Sequence, residues 1–211
     1  PKNWRKIVYE YIKDDGPYKA YIEKYGKVLI SKYEEEMKTN TEPQIHTDYE
    51  DNQLIGLVMF TAIYENDNFK KKISDSLNYA KTFTNYLPIE NFTELLYNLF
   101  NDLNNGVNKL QALENNIKYA PVEFQEKLTH SLHKVDSYFF IKNFSGVACE
   151  INQSFPLIYH LIAHNDNWEE ALTKNAILGG ASSARGILIS AVFNLLDGIP
   201  EKYQNKLNYK L

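Results

Sequence analysis

Between residues 92 and 103 the apolar side chains Phe92, Leu95, Leu96, Leu99, Phe100 and Leu103 recur in steps of three and one. This spacing puts all six on one face and predicts an amphipathic helix with that face in a core. Phe124, Leu128, Leu132 and Val135 predict another, with Pro121 where a first helical turn tolerates it. Residues 16 to 33 carry Tyr18, Tyr21, Ile22, Tyr25, Val28, Leu29 and Tyr33 at helical steps, with Gly26 as a weak point. Leu54 to Tyr64 is apolar on more sides, as a helix buried all round would be.

Toward the C-terminus the punctuation predicts three helices joined by tight turns. Pro156 is placed to open the first, through Leu157, Ile158, Leu161 and Ile162. After Asn165-Asp166-Asn167, Asp166 with Glu169 forms a cap for the second, which stops near Leu178 at Gly179-Gly180. Ser182 or Ser183 is expected to cap the third, from about Ala184 to Leu196, with Asp197-Gly198 and Pro200 ending it. Sustained apolar and polar alternation is absent, as are Gly and Pro clusters at hairpin spacing. The expected class is therefore all-α, a multi-helix bundle.

Composition narrows the function classes. The chain of 211 residues is 44% apolar, enough for one substantial core, and a single domain over 1–211 is expected. A formal charge of -4 and a pI near 5.8 give no basic field for a polyanion, so nucleic acid is not an expected partner. The one cationic cluster is Lys70-Lys71-Lys72. A lone cysteine, Cys149, excludes an internal disulfide framework and suits a reducing, intracellular and cytoplasmic setting. No apolar run reaches the ~20 residues of a membrane span, so no membrane is expected as a partner. The chain starts at Pro1 without Met, which raises N-terminal truncation as an expectation.

Four segments stand in a fixed order: Ser154-Phe155-Pro156-Leu157; Asn167-Trp168-Glu169-Glu170-Ala171-Leu172; Gly179-Gly180-Ala181-Ser182-Ser183-Ala184-Arg185-Gly186; and Gly198-Ile199-Pro200-Glu201-Lys202-Tyr203. Their order and spacing resemble the C-terminal signature of the ADP-ribosylglycohydrolase family. That signature runs from Ser-hydrophobic-Pro through a Glu-Ala-Leu helix and Gly-Gly-Asp-Thr-Asp-Thr to Gly-hydrophobic-Pro. A variant branch carrying Gly-Gly-Asp-Ser-Ala-Ala-Arg-Gly is closer still. The resemblance covers about residues 140 to 207; the rest matches only as a helical pattern.

The resemblance implies an all-α glycosidic-bond hydrolase that releases ADP-ribose from an acceptor, usually with two Mg²⁺ ions. The family's Asp residues supply the metal's oxygens. Here Ala181 replaces the first and Ser183 the second. Alanine ligates nothing and a serine hydroxyl is a weak neutral ligand, so the usual two-metal site is expected to fail. What remains is a ligand-binding set: Gly146, Gly179, Gly180, Ser182, Ser183 and Arg185. A double glycine before small polar residues at a helix start suits an anion such as a diphosphate. The same string also reads as a helix stop followed by a helix start. Arg185 can pair with a phosphate or carboxylate, or hold the helix start through an intramolecular salt bridge.

Other signals are thinner. Tyr49-Glu50-Asp51-Asn52-Gln53-Leu54 is similar to the family's N-terminal Thr-Asp-Asp-Thr-Gln, which makes Glu50 and Asp51 candidate catalytic or metal-binding acids; acids at a helix start are also ordinary caps. The favoured expectation is that the true motif lies before Pro1 or has been lost. Gly146, in Phe144 to Cys149, matches a family loop that approaches the diphosphate. Cys149 reads as a nucleophile or, more simply, a buried small residue. His130 with His133, and His160 with His164, have metal-compatible spacing but read also as polar or partly buried rings, and His46 stands alone. Three functions follow: a hydrolase with an altered metal set, a non-catalytic binder of ADP-ribose or a related nucleotide, or a helical interaction module. Family membership with impaired or absent hydrolysis is the expectation carried forward.

Overall fold

The structure, a computed structural model, describes residues 2–22, 24–41, 74, 77 and 88–206. Every regular element among them is helical, as expected from the sequence. The predicted helix at Leu54 to Tyr64, the acids Glu50 and Asp51, His46 and Lys70-Lys71-Lys72 lie outside the described residues. The chain divides into two compact units, Pro1–Thr93 and Glu94–Leu211.

In the first unit α1 (Lys2–Ile12) packs on α2 (Lys24–Thr39). The contact includes Tyr9 against Tyr33, ring centroids 4.6 Å apart, and Arg5 paired with Glu36 at 3.3 Å. The helix expected from residue 16 begins only at Lys24. Gly16-Pro17 explains the delay, because Pro17 has no N–H and disfavours helical geometry at the residue before it. The Gly16 and Tyr18 N–H groups instead donate back to the Lys13 and Tyr11 carbonyls, at 2.8 and 3.0 Å. α1 itself was not anticipated.

α3 (Ile89–Asn104) contains the division between the units and buries all six residues of the predicted stripe. The second unit continues with α4 (Lys109–Asn116), a 3₁₀ turn (Ile117–Tyr119), α5 (Val122–Ser131) and α6 (Ser137–Asn143). It ends with α7 (Ile151–His164), α8 (Trp168–Leu178), α9 (Ser182–Leu196) and the short α10 (Glu201–Gln204). α5 stops at Ser131, so Leu132 caps its end and Val135 lies beyond it.

α7 is the axis of this unit. Ile151 and every residue from Ser154 to Ala163 are buried, and α4, α5, α6, α8 and α9 all pack on it. A helix with this many neighbours must be apolar over most of its circumference, as α7 is from Ser154 to Ala163. Pro156 does not open α7, as expected, but sits inside it. The lost hydrogen bond falls on the carbonyl of Asn152, an exposed residue that water can serve.

α8 is capped one residue later than expected. Asn167, not Asp166, accepts from the Glu170 N–H at 3.0 Å, while Glu170 accepts from the Asp166 N–H at 3.2 Å. α10 folds back on the start of α8: Trp168 packs on Tyr203 with centroids 4.8 Å apart, and the Tyr203 hydroxyl donates to Glu169 at 3.0 Å. Replacing Asn167 by Ala should cost about 1 kcal/mol in urea denaturation, and replacing Asp166 by Ala distinctly less. The reverse order would restore the cap expected from the sequence.

Candidate functional site

The two glycine-bearing loops singled out in the sequence meet. α8 ends at Gly179, which has φ +73° and returns its N–H to the Ala176 carbonyl. Gly180 follows at φ +66°, conformations that L side chains adopt only with strain. A Cβ on Gly180 would overlap the Val147 carbonyl and side chain. That contact belongs to the second loop, Phe144 to Glu150, and the Ala181 N–H donates to the Val147 carbonyl at 2.8 Å. Gly180 is thus required twice, by its dihedral angle and by the close approach.

α9 begins at Ser182, and its cap position is Ala181, which supplies no side-chain acceptor. Ser182 and Ser183 therefore lie in the first turn instead of capping it. N–H groups of a helix's first turn have no intrahelical acceptor, and here no side chain at the cap position answers them. Ser183 and Gly180 are exposed, Gly146 and Gly179 half-buried.

Beneath the crossing lies Arg185, fully buried. Its Nε donates to Asn175 Oδ1 at 2.9 Å and its Nη1 to the Val147 carbonyl at 2.9 Å, with Ser154 Oγ at 3.5 Å; Nη2 donates to the Gly179 carbonyl. None of these acceptors is a carboxylate. The guanidinium faces neither solvent nor an intramolecular acid, so both sequence readings of this side chain are replaced by a third. It is a hub that ties α7, α8, α9 and the Phe144 to Glu150 loop together. Burial pushes it down to about 10, still well above neutrality, so it keeps its charge. The cation sits at the carbonyl end of α8, where the helix dipole is negative.

Asn175 completes the hub, its Nδ2 donating to the Ser182 carbonyl at 2.7 Å. Ser154 donates to the Ala148 carbonyl, and Gln153 Oε1 accepts from the Ala148 N–H at 3.3 Å, so the start of α7 holds the same loop. Asn175, Gln153 and Val147 were not recognised in the sequence. Val147 acts through its carbonyl, which no residue type announces. Ser154 stood in the Ser-Phe-Pro segment without a role.

The remaining candidates fall elsewhere. Cys149 is exposed, not buried as expected. The His160 and His164 rings both turn a nitrogen to the Ser131 carbonyl, at 3.3 and 3.0 Å, and His130 stacks on Phe144 at 4.5 Å. The donors offered around Ala181 are backbone groups and the hydroxyls of Ser182 and Ser183. This neutral set does not fit a doubly charged Mg²⁺, and no group of three or more His, Cys, Asp or Glu suited to a metal occurs among the described residues. No helix among them is long and apolar enough to cross a membrane.

Two substitutions test the hub. Arg185→Lys keeps the charge but replaces a fork by a single nitrogen, and each buried acceptor left unpaired costs roughly 1–3 kcal/mol. The unfolding free energy from urea denaturation should fall by several kcal/mol, with a lower midpoint and an unchanged slope. Gly180→Ala should cost at least about 2 kcal/mol, from φ strain and overlap with the backbone. Wild-type midpoints in both would contradict the geometry.

Compared with models of known protein families the chain matches none, and no curated protein matches it significantly.

Proposed function

We propose that this chain is an ADP-ribosylglycohydrolase-like protein that binds ADP-ribose, or the ADP-ribosyl group of an acceptor, with hydrolysis impaired or absent. The observation that supports this most is the convergence of the Gly146 and Gly179 loops through the Ala181 N–H and Val147 carbonyl, at the uncapped start of α9. The resemblance assigns both loops to one ligand. Gly180 already touches Val147, so the ligand's seat is the outer face of the loop pair, not a gap between its halves. The Ala181 and Ser182 N–H groups are taken by the Val147 and Gly180 carbonyls, so a phosphate there would draw on the Ser183 and Ala184 N–H groups and the helix dipole. Arg185 contributes by fixing the loops, without touching ligand.

Ala181 and Ser183 bear on rate more than on affinity, because a lost metal ligand weakens the transition state more than a phosphate-bearing ground state. The single cysteine agrees with a reducing, intracellular setting. A second reading, the helical interaction module, draws on Tyr138 and Phe139, neighbouring aromatics on α6 that are 57% and 53% exposed.

Isothermal titration of the purified chain with ADP-ribose, with and without millimolar Mg²⁺, should give binding that is independent of Mg²⁺. Incubation with an ADP-ribosylated acceptor should release little or no ADP-ribose. Mg²⁺-dependent binding would contradict the loss of metal chemistry. Absence of binding under both conditions would overturn the reading in favour of the interaction module.

A further inference from the structure

α6 is docked on α7 beside two imidazoles, His160 buried and His164 half-buried. Phe140, the one fully buried residue of α6, stacks on His160 with centroids 4.4 Å apart and planes 5° from parallel. His160 Nε2 lies 3.2 Å from Ser137 Oγ, and its Nδ1 faces the Ser131 carbonyl at the end of α5. His164, one turn on, turns its Nε2 to the same carbonyl, with its ring 4.6 Å from that of His160. A carbonyl only accepts, so the network assigns an N–H to His160 Nδ1 and to His164 Nε2. His160 Nε2 is left with a lone pair for the Ser137 hydroxyl.

Burial and the lysine charges oppose a further proton, while the Ser131 and His133 backbone groups and Asp136 favour one; burial is the largest effect on both rings. His160 is 1% exposed. The groups facing the pair are Lys109 from α4, Lys134 and the His133 backbone after α5, Asp136 ahead of α6, and Lys174 from α8; His130 of α5 packs on His133. Asp136, the acid among them, is already engaged by the Tyr138 and Phe139 N–H groups. Asp166, Glu170 and Asp197 act on Lys109. Burial lowers His160 to about 4 and lowers His164 as well.

The far end of α6 leads into the candidate site. The Phe144 and Ser145 N–H groups both donate to the Phe140 carbonyl, at 2.9 and 3.3 Å, and the next residues are Gly146 and Val147, whose carbonyl holds Ala181 and Arg185. We propose that His160 and His164 form a proton-operated latch: protonation of the pair undocks Phe140 and loosens the Gly146 and Val147 loop from the start of α9. Its effect on ligand binding rests on the proposed ADP-ribose seat; the latch itself does not.

Because the imidazoles are depressed when docked, docking is complete above their ordinary value of about 6.5. It is lost as pH falls toward about 4, by up to tenfold per pH unit for each proton taken up. Hydrogen exchange at about pH 7.5 and about pH 5, corrected for intrinsic chemistry, tests this. Residues 137–149 should lose protection at least about tenfold more than α8. In a His160→Asn, His164→Gln variant, whose amides can still donate to Ser131, the extra loss should vanish. Equal loss in α8, or an undiminished loss in the variant, overturns the latch.

Should the variant not fold, NMR titration of the wild-type imidazoles decides. Titration clearly below 6.5 together with amide shifts from Phe140 to Val147 supports the latch, and titration near 6.5 without those shifts overturns it. ADP-ribose titrated at the two pH values separates latch from seat. Weaker binding in acid joins them, and undiminished binding overturns their coupling. No binding at either pH removes the seat and leaves exchange to judge the latch.

Discussion

A buried guanidinium whose hydrogen-bond acceptors are carbonyl and hydroxyl oxygens organises the second unit. Arg185 brings a full charge beneath the start of α9, and removing such an ion from water costs several kcal/mol. The cost is offset only if its donors are met, and they are met by acceptors from three directions: Asn175 in α8, Gly179 at its end, and Val147 with Ser154 from the loop and helix on the other side. Each acceptor fixes a segment. α8, α9 and the Phe144 to Glu150 loop therefore share one buried anchor, which lies beneath the contact of Gly180 with Val147.

Much of this was legible in the chain and some could not be. The stripe from Phe92 to Leu103 declared α3 because one face is buried and the other is wet. The glycines after Leu178 and the Asp197-Gly198 pair marked helix ends because few other residues adopt those backbone angles. Boundaries fail where local rules compete: prolines suit first turns, which points to a start at Pro156, yet α7 reaches back to Ile151 and leaves the freed carbonyl to water. At Asn167 three cap-forming residues stood in a row, and only the tertiary path of the chain chose among them. Arg185 was the most instructive. Its type suggests a phosphate or a carboxylate, and nothing local indicates that the nearby Gly179 carbonyl and the distant Val147 carbonyl satisfy it instead.

The resemblance and the geometry bear on each other at one place. A carboxylate at position 181 or 183 would bring negative charge to the start of α9, where a cation could share it. With Ala181 and Ser183 there, the local field comes from the helix start and from a guanidinium buried below, and both favour an anion. The proposed ligand binding without metal chemistry draws on that field. His160, buried, and His164, half-buried, on the same axial helix add a second constraint: under the proposed latch, the docking of α6 and of the loop it leads into requires both rings to stay neutral.

The most direct test of the central claim is heteronuclear NMR of the Arg185 guanidinium in the intact chain. A hub of this kind predicts separately resolved, slowly exchanging Nε and Nη protons, with cross-peaks to the amide protons around Val147 and Gly179. A single averaged, rapidly exchanging guanidinium signal without those cross-peaks would place the side chain in solvent and contradict the account.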